Sequence, residues 1–257
     1  MTKKAVAKQE PAGLPAALAE EMAADAGDGR QGVTTQDMAI PFLRILQSGS
    51  PQLKKQQGEY IEGASEGDLL NTVTGEIWEG EEGCTVIPCA FQFKYIVWKP
   101  RDSGGGFVAS HTRDDELPST EADERGRAIT GEGNILTDTA EHYVMIVDAE
   151  GHCEQAVITM SSSGLKSSRK WNSMMAQHTI PTSEGVKAAP TYARKYKMTT
   201  MGLSNDQGDW SGWSIANDGD VENIDIYRAC RAFSKAVNEG SIQAKHVTGT
   251  VEGDSVM

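Results

Sequence analysis

The sequence predicts a mainly β protein with added α-helices, and three observations lead there. Aromatic and β-branched residues alternate with polar ones through residues 91–98, the period of two of a half-buried strand, and two apolar runs flank a glycine-bearing turn through 142–160. Glycine- and asparagine-bearing turns punctuate these runs. Only two long stretches, near residues 164–177 and 220–240, carry a helical period with caps at their ends.

Composition narrows the class. The 257 residues are 38% hydrophobic with mean hydropathy -0.44, a soluble composition with room for one decorated domain or two small ones. The apolar runs are too short to span a bilayer, and no charged segment leads into an apolar one as in a secretory signal. Four cysteines do not make a disulfide framework, which points to a reduced, cytoplasmic setting. The net charge is -13, yet residues 162–198 hold seven basic residues and one acid, leaving -19 on the remainder. Such segregation places one attractive surface on a self-repelling body.

In chain order, residues 1–36 read as a disordered arm with a short Ala/Glu-rich helix, since isolated helices of that length are marginal in water. The ordered domain is expected over 37–240, opening on an apolar anchor of Ile40, Phe42, Leu43, Ile45 and Leu46 around Pro41. Short glycine-punctuated strands follow to Trp78. In 91–98, Phe91, Phe93, Tyr95 and Val97 share one face, and Gln92, Lys94, Ile96 and Trp98 the other. Pro100 ends that strand, Gly104 to Gly106 turn it, and Phe107 starts the return. Residues 114–134 form a polar loop insertion without apolar periodicity, and 142–160 a hairpin. Ser161 to Ser163 cap a helix in which Leu165, Ser168, Trp171 and Met175 share one side. A second strand pair turns at 205–209. Asp220 caps the last helix, Gly240 ends it, and 241–257 is a flexible tail.

This order places a helix between one hairpin and the next. A five-stranded OB barrel has its helix between the third and fourth strands, so the expected architecture is an OB-like barrel with insertions and a C-terminal helix. An α+β sandwich is the fallback.

The chemistry of catalysis is hard to find. No phosphate-binding glycine loop, dinucleotide fingerprint, H-E-x-x-H or G-x-S-x-G occurs. Ser161 to Ser163 near His178 suit a helix cap better than a nucleophile, and the acids at 114–116 have nothing to raise a pKa. Cys84 and Cys89 flank an apolar pair in a strand, where cysteine is a small buried hydrophobe, so no metal site is assigned.

What recurs is rings beside cations. Lys94 and Trp98 with Lys99 and Arg101 form one set; Lys166, Arg169, Lys170 and Trp171 a second; Tyr192, Arg194, Tyr196 and Lys197 a third. Bases stack on exposed rings while Lys and Arg hold phosphates, so these twelve residues are the candidate single-stranded nucleic-acid site.

The stretches Ile40-Pro-Phe-Leu-Arg-Ile-Leu-Gln, Gly67-Asp-Leu-Leu-Asn-Thr-Val-Thr-Gly-Glu and Leu165-Lys-Ser-Ser-Arg-Lys-Trp-Asn resemble a group of tailed-bacteriophage proteins described as single-stranded-DNA-binding replication proteins. The resemblance spans about residues 34–238. It implies an OB fold that coats DNA in the host cytoplasm during replication or recombination. Single-stranded DNA is then the partner, with phage replication proteins and self-association as further ones, and no membrane or cofactor. The chain departs from the pattern at its end, Val251-Glu-Gly-Asp-Ser-Val-Met, where the group has a dense acidic tail. A virion or assembly component is the alternative, with the rings in the core and the charges at an interface; an enzyme with scattered site residues is a third.

Overall fold

A computed structural model of the chain describes residues 15–33, 37–206 and 208–246. Two compact units are present, dividing after Met38. In the first, α1 (Ala16–Ala24) forms from good helix formers but has no apolar stripe and buries none of its residues.

The second unit is mainly β, a curled antiparallel sheet forming a half-barrel. Three short strands open it: β1 (Leu43–Ile45), β2 (Leu69–Asn71) and β3 (Ile77–Trp78). The frame is one long pair, β4 (Cys84–Trp98) and β8 (Ile135–Val147), antiparallel from end to end. Each strand changes its other neighbour halfway. The start of β4 pairs with β12 (Arg194–Asn205), and its end with β5 (Phe107–His111). The end of β8 pairs with β9 (Cys153–Ser161), and its start with β7 (Ala128–Thr130), which pairs with β6 (Thr120–Ala122). β13 (Gly208–Asp220) then pairs along β12. One ribbon thus carries a larger lobe in the order β13-β12-β4-β8-β9 and a smaller one built from β5, β6 and β7.

Helix α2 (Gly164–Ala176) connects β9 towards β12, with the hairpin of β10 (Thr179–Thr182) and β11 (Gly185–Ala188) in between. The segment at β1 bridges β9 and β13, the two ends of the larger lobe. Val157 N–H donates to the Pro41 carbonyl at 2.8 Å, while the Gln47 amide donates to Ser211 O at 2.8 Å and accepts from Ser211 N at 3.0 Å. A side-chain amide there replaces a strand partner on the exposed edge of β13.

The sheet is covered on both faces. Leu43, Val86, Val144, Ile158 and Met198 pack with Trp171 and Met175 of α2 on one face. Ile87, Tyr143, Met145 and Val157 pack under Cys230, Phe233 and Val237 of α3 (Ile224–Asn238) on the other. Successive residues of a strand point oppositely, so the unbroken apolar runs at 143–146 and 156–158 feed two cores. Cys84 and Cys89 likewise fall on opposite faces and cannot meet at one ion; burial pushes the Cys84 thiol up to about 12.

Three local expectations are corrected. Residues 114–134 are not merely a loop: β6 and β7 form a small hairpin closed by Arg127 on Asp123 at 2.7 Å. Asn223, not Asp220, caps α3, accepting from the N–H groups of Asp225 and Ile226; Asp220 pairs instead with Arg194 at 3.0 Å. Residues 241–246, assigned to the flexible tail, lie against the sheet, because Ile242 and Ala244 pack on the apolar cluster beneath α3. Residues 1–14 of the arm and 247–257 of the tail fall outside the described residues.

Candidate nucleic-acid interface

Two of the predicted rings are core residues. Trp171 is 0% exposed and Tyr196 1%. They meet edge to face with centroids 5.7 Å apart, and Trp171 also stacks on His142. The reason lies in the helix: Ser168, Trp171 and Met175 share its buried stripe, which is pressed onto the sheet. Neither ring can stack on a base without unfolding the site, so both leave the candidate interface.

The other rings are half-buried. Tyr192 sits in a 3-10 turn ahead of β12 and packs edge to face on Tyr227 of α3, centroids 5.2 Å apart. Trp98, at the end of β4, faces Phe107 and His246 with centroids at 6.1 and 5.6 Å.

The cations sort by whether the chain already uses them. Arg194 is held by Asp220, and Lys197 Nζ donates to the Gly83 carbonyl at 3.5 Å. Lys94 is half-buried in β4 and contributes to holding the Asp115 carboxyl below its ordinary range, behind the Thr112 N–H and hydroxyl that donate to it. Lys99 and Arg101 are exposed beyond Trp98. Lys166, Arg169 and Lys170 are exposed on α2, spaced i, i+3, i+4, and have no ion pair among the described residues. They form one cationic face on the side of the helix away from Trp171.

The three sets do not make one patch. Lys197 lies opposite Thr85 at the start of β4, whereas Trp98 lies opposite Ile135 at its end. The length of strand between them, at about 3.3 Å per residue, puts them roughly 40 Å apart along the ribbon. A single nucleotide cannot touch both.

A cleft of about 100 Å³ lies beside the α2 stripe, where β1, the start of α2 and β13 meet. Arg44, Gln47, Ser163, Ser167, Trp210 and Ser211 line it. Ser163 and Ser167 share the helix side of Lys166 and Lys170. The volume suits a phosphate or the edge of a base and falls below the ~300 Å³ of a small-molecule pocket. Trp210 is half-buried, and its Nε1 is buried with no partner among the described residues. Sequence reading missed Arg44 and Trp210. Trp210-Ser-Gly-Trp213 carried a signal, two indoles three residues apart in an alternating strand, of which Trp213 turns to the core.

The family model described as Pam3 phage gp34-like protein matches residues 6–243. The chain belongs to this family and is therefore a phage protein. Neither the curated proteins nor the solved structures contain a match. No helix among the described residues is long and apolar enough to cross a membrane.

Proposed function

We propose that this phage protein binds single-stranded DNA in the host cytoplasm, without strong sequence preference, during replication or recombination, and that it catalyses no reaction. The observation that carries the reading is the exposed Lys166, Arg169 and Lys170 stripe beside the cleft holding Arg44 and Trp210. Consecutive phosphates lie along the stripe, and one base edge meets the indole. An acidic body with one local cationic face repels its own copies and still attracts a polyanion.

The finer fold reading, an OB-like barrel, draws support from the strand order. Taking β4, β8, β9, β12 and β13 as first to fifth, the first three pair in sequence, the helix follows the third, and the fourth returns beside the first. This order is compatible with OB connectivity, the segment at β1 standing where the third and fifth strands would close.

The test is anisotropy of labelled oligo-dT across salt concentrations. Affinity should fall steeply with salt. Replacing Lys166, Arg169 and Lys170 together by Gln should lower the slope by about 0.7 for each phosphate no longer neutralised. A flat salt response, or equal affinity for duplex, overturns the reading.

The second reading, a virion or assembly component, is favoured by the β10–β11 hairpin. Val186 there is 73% exposed and Ile180 37%, an apolar surface suited to a protein contact. Absence of oligo-dT binding would leave this reading standing.

A further inference from the structure

After α3 the chain folds back. Ser241 N–H donates to the Ala236 carbonyl at 2.9 Å, and Ala244 N–H to the Tyr143 hydroxyl at 3.1 Å. The strap ends with the His246 side chain, 2% exposed, set into the sheet. Its Nε2 lies 2.8 Å from Oε1 of Glu141, itself 2% exposed, and Tyr143 donates to the other carboxylate oxygen at 3.1 Å. Three rings enclose the imidazole. Phe107 stacks on it, with planes 20° apart and centroids at 5.7 Å; Trp98 meets it at 87°; Phe42 lies at 5.3 Å.

The ring that the strap holds is flat, heteroaromatic and offers N–H to a buried carboxylate between aromatic walls. A nucleobase offers the same chemistry, and proteins that take a base out of its stack hold it in this way. We infer that the Phe42, Trp98, Phe107 and Glu141 slot is a base-binding site occupied in the free protein by the chain's own His246. The inference rests on the single-stranded-DNA reading and gives it a second contact.

Glu141 also selects. A carboxylate accepts from the amino group of cytosine or adenine. The one N–H of thymine lies between two carbonyls, which the carboxylate repels. A base can enter only by displacing His246, since removing the imidazole without replacement would leave Glu141 buried short of a partner.

The experiment compares labelled oligo-dC and oligo-dT of equal length on the full chain, as wild type, His246→Ala and Glu141→Gln. Wild type should prefer oligo-dC several-fold. His246→Ala should widen that preference by removing the competitor, and Glu141→Gln should erase it. Equal affinity for both oligonucleotides in wild type and His246→Ala overturns the slot but leaves the DNA reading intact. No binding of either by any protein overturns both. The wild-type comparison needs no variant, so misfolding of a substituted chain does not spare the inference.

Discussion

The imidazole of His142 lies almost flat on the indole of Trp171, ring centroids 4.5 Å apart and planes 26° from parallel. His142 Nε2 is also 2.8 Å from the Ser168 hydroxyl, one helical turn before Trp171. Strand β8 therefore grips α2 through one stacked pair and one hydrogen bond. The helix is held by the face opposite its cations, which leaves Lys166, Arg169 and Lys170 exposed.

Trp171 should accordingly behave as a core residue. Trp171→Ala is expected to cost about 3–5 kcal/mol of stability, as large aromatic truncations do. Lys170→Gln, its neighbour on the outer face, should stay within about 0.5 kcal/mol of wild type. Urea unfolding of the two variants decides: near wild-type stability for Trp171→Ala would return the indole to the surface.

Burial alone depresses His142, to about 3 from the ordinary 6.5. Between those values the unfolded chain takes up a proton that the folded chain refuses, so stability falls as the pH drops from 6.5 towards 3. The loss from this residue is up to about 1.4 kcal/mol per pH unit. Melting temperature followed from about pH 7 to about pH 5 should decline, and His142→Gln should decline less. Parallel slopes in the two proteins would show that another group is responsible.

Gly83 is the glycine whose replacement should do most harm. Its φ is +58°, and an added Cβ would lie 1.8 Å from the carbonyl oxygen of Met198, backbone of the strand beside β4. Gly75, at φ +74°, has open space around it. Gly75→Ala should therefore cost only the backbone strain, of order 1 kcal/mol, whereas Gly83→Ala must also part β4 from β12. Equal melting temperatures for the two variants would contradict the close approach.

Much of the fold could be read from local pattern. The hairpin of β8 and β9 follows from two apolar runs about a glycine turn, and the buried side of α2 and the existence of α3 from a period of three to four, which short-range sterics impose. Caps were less legible. Asp220 and Asn223 are both credible N-cap residues, and the ion pair with Arg194, 26 residues away, decides between them. The candidate site was the least legible part. Tyr192, Arg194 and Tyr196 alternate in sequence as if on one face, but a register shift between Arg194 and Tyr196 separates them, and Tyr196 turns into the core.

By itself the sequence determined the mainly β class, the two helices of the larger unit and the cationic enrichment of residues 162–198. Each depends on neighbours within a few residues. Only the tertiary structure decided which cations remain unpaired, because Asp220 and the Gly83 carbonyl reach Arg194 and Lys197 from distant strands. It alone brought Arg44, Ser167 and Trp210 to one cleft and set His246 against Glu141, 105 residues away. Contacts of that separation arise when the sheet curls and the chain returns across it, which no local period records.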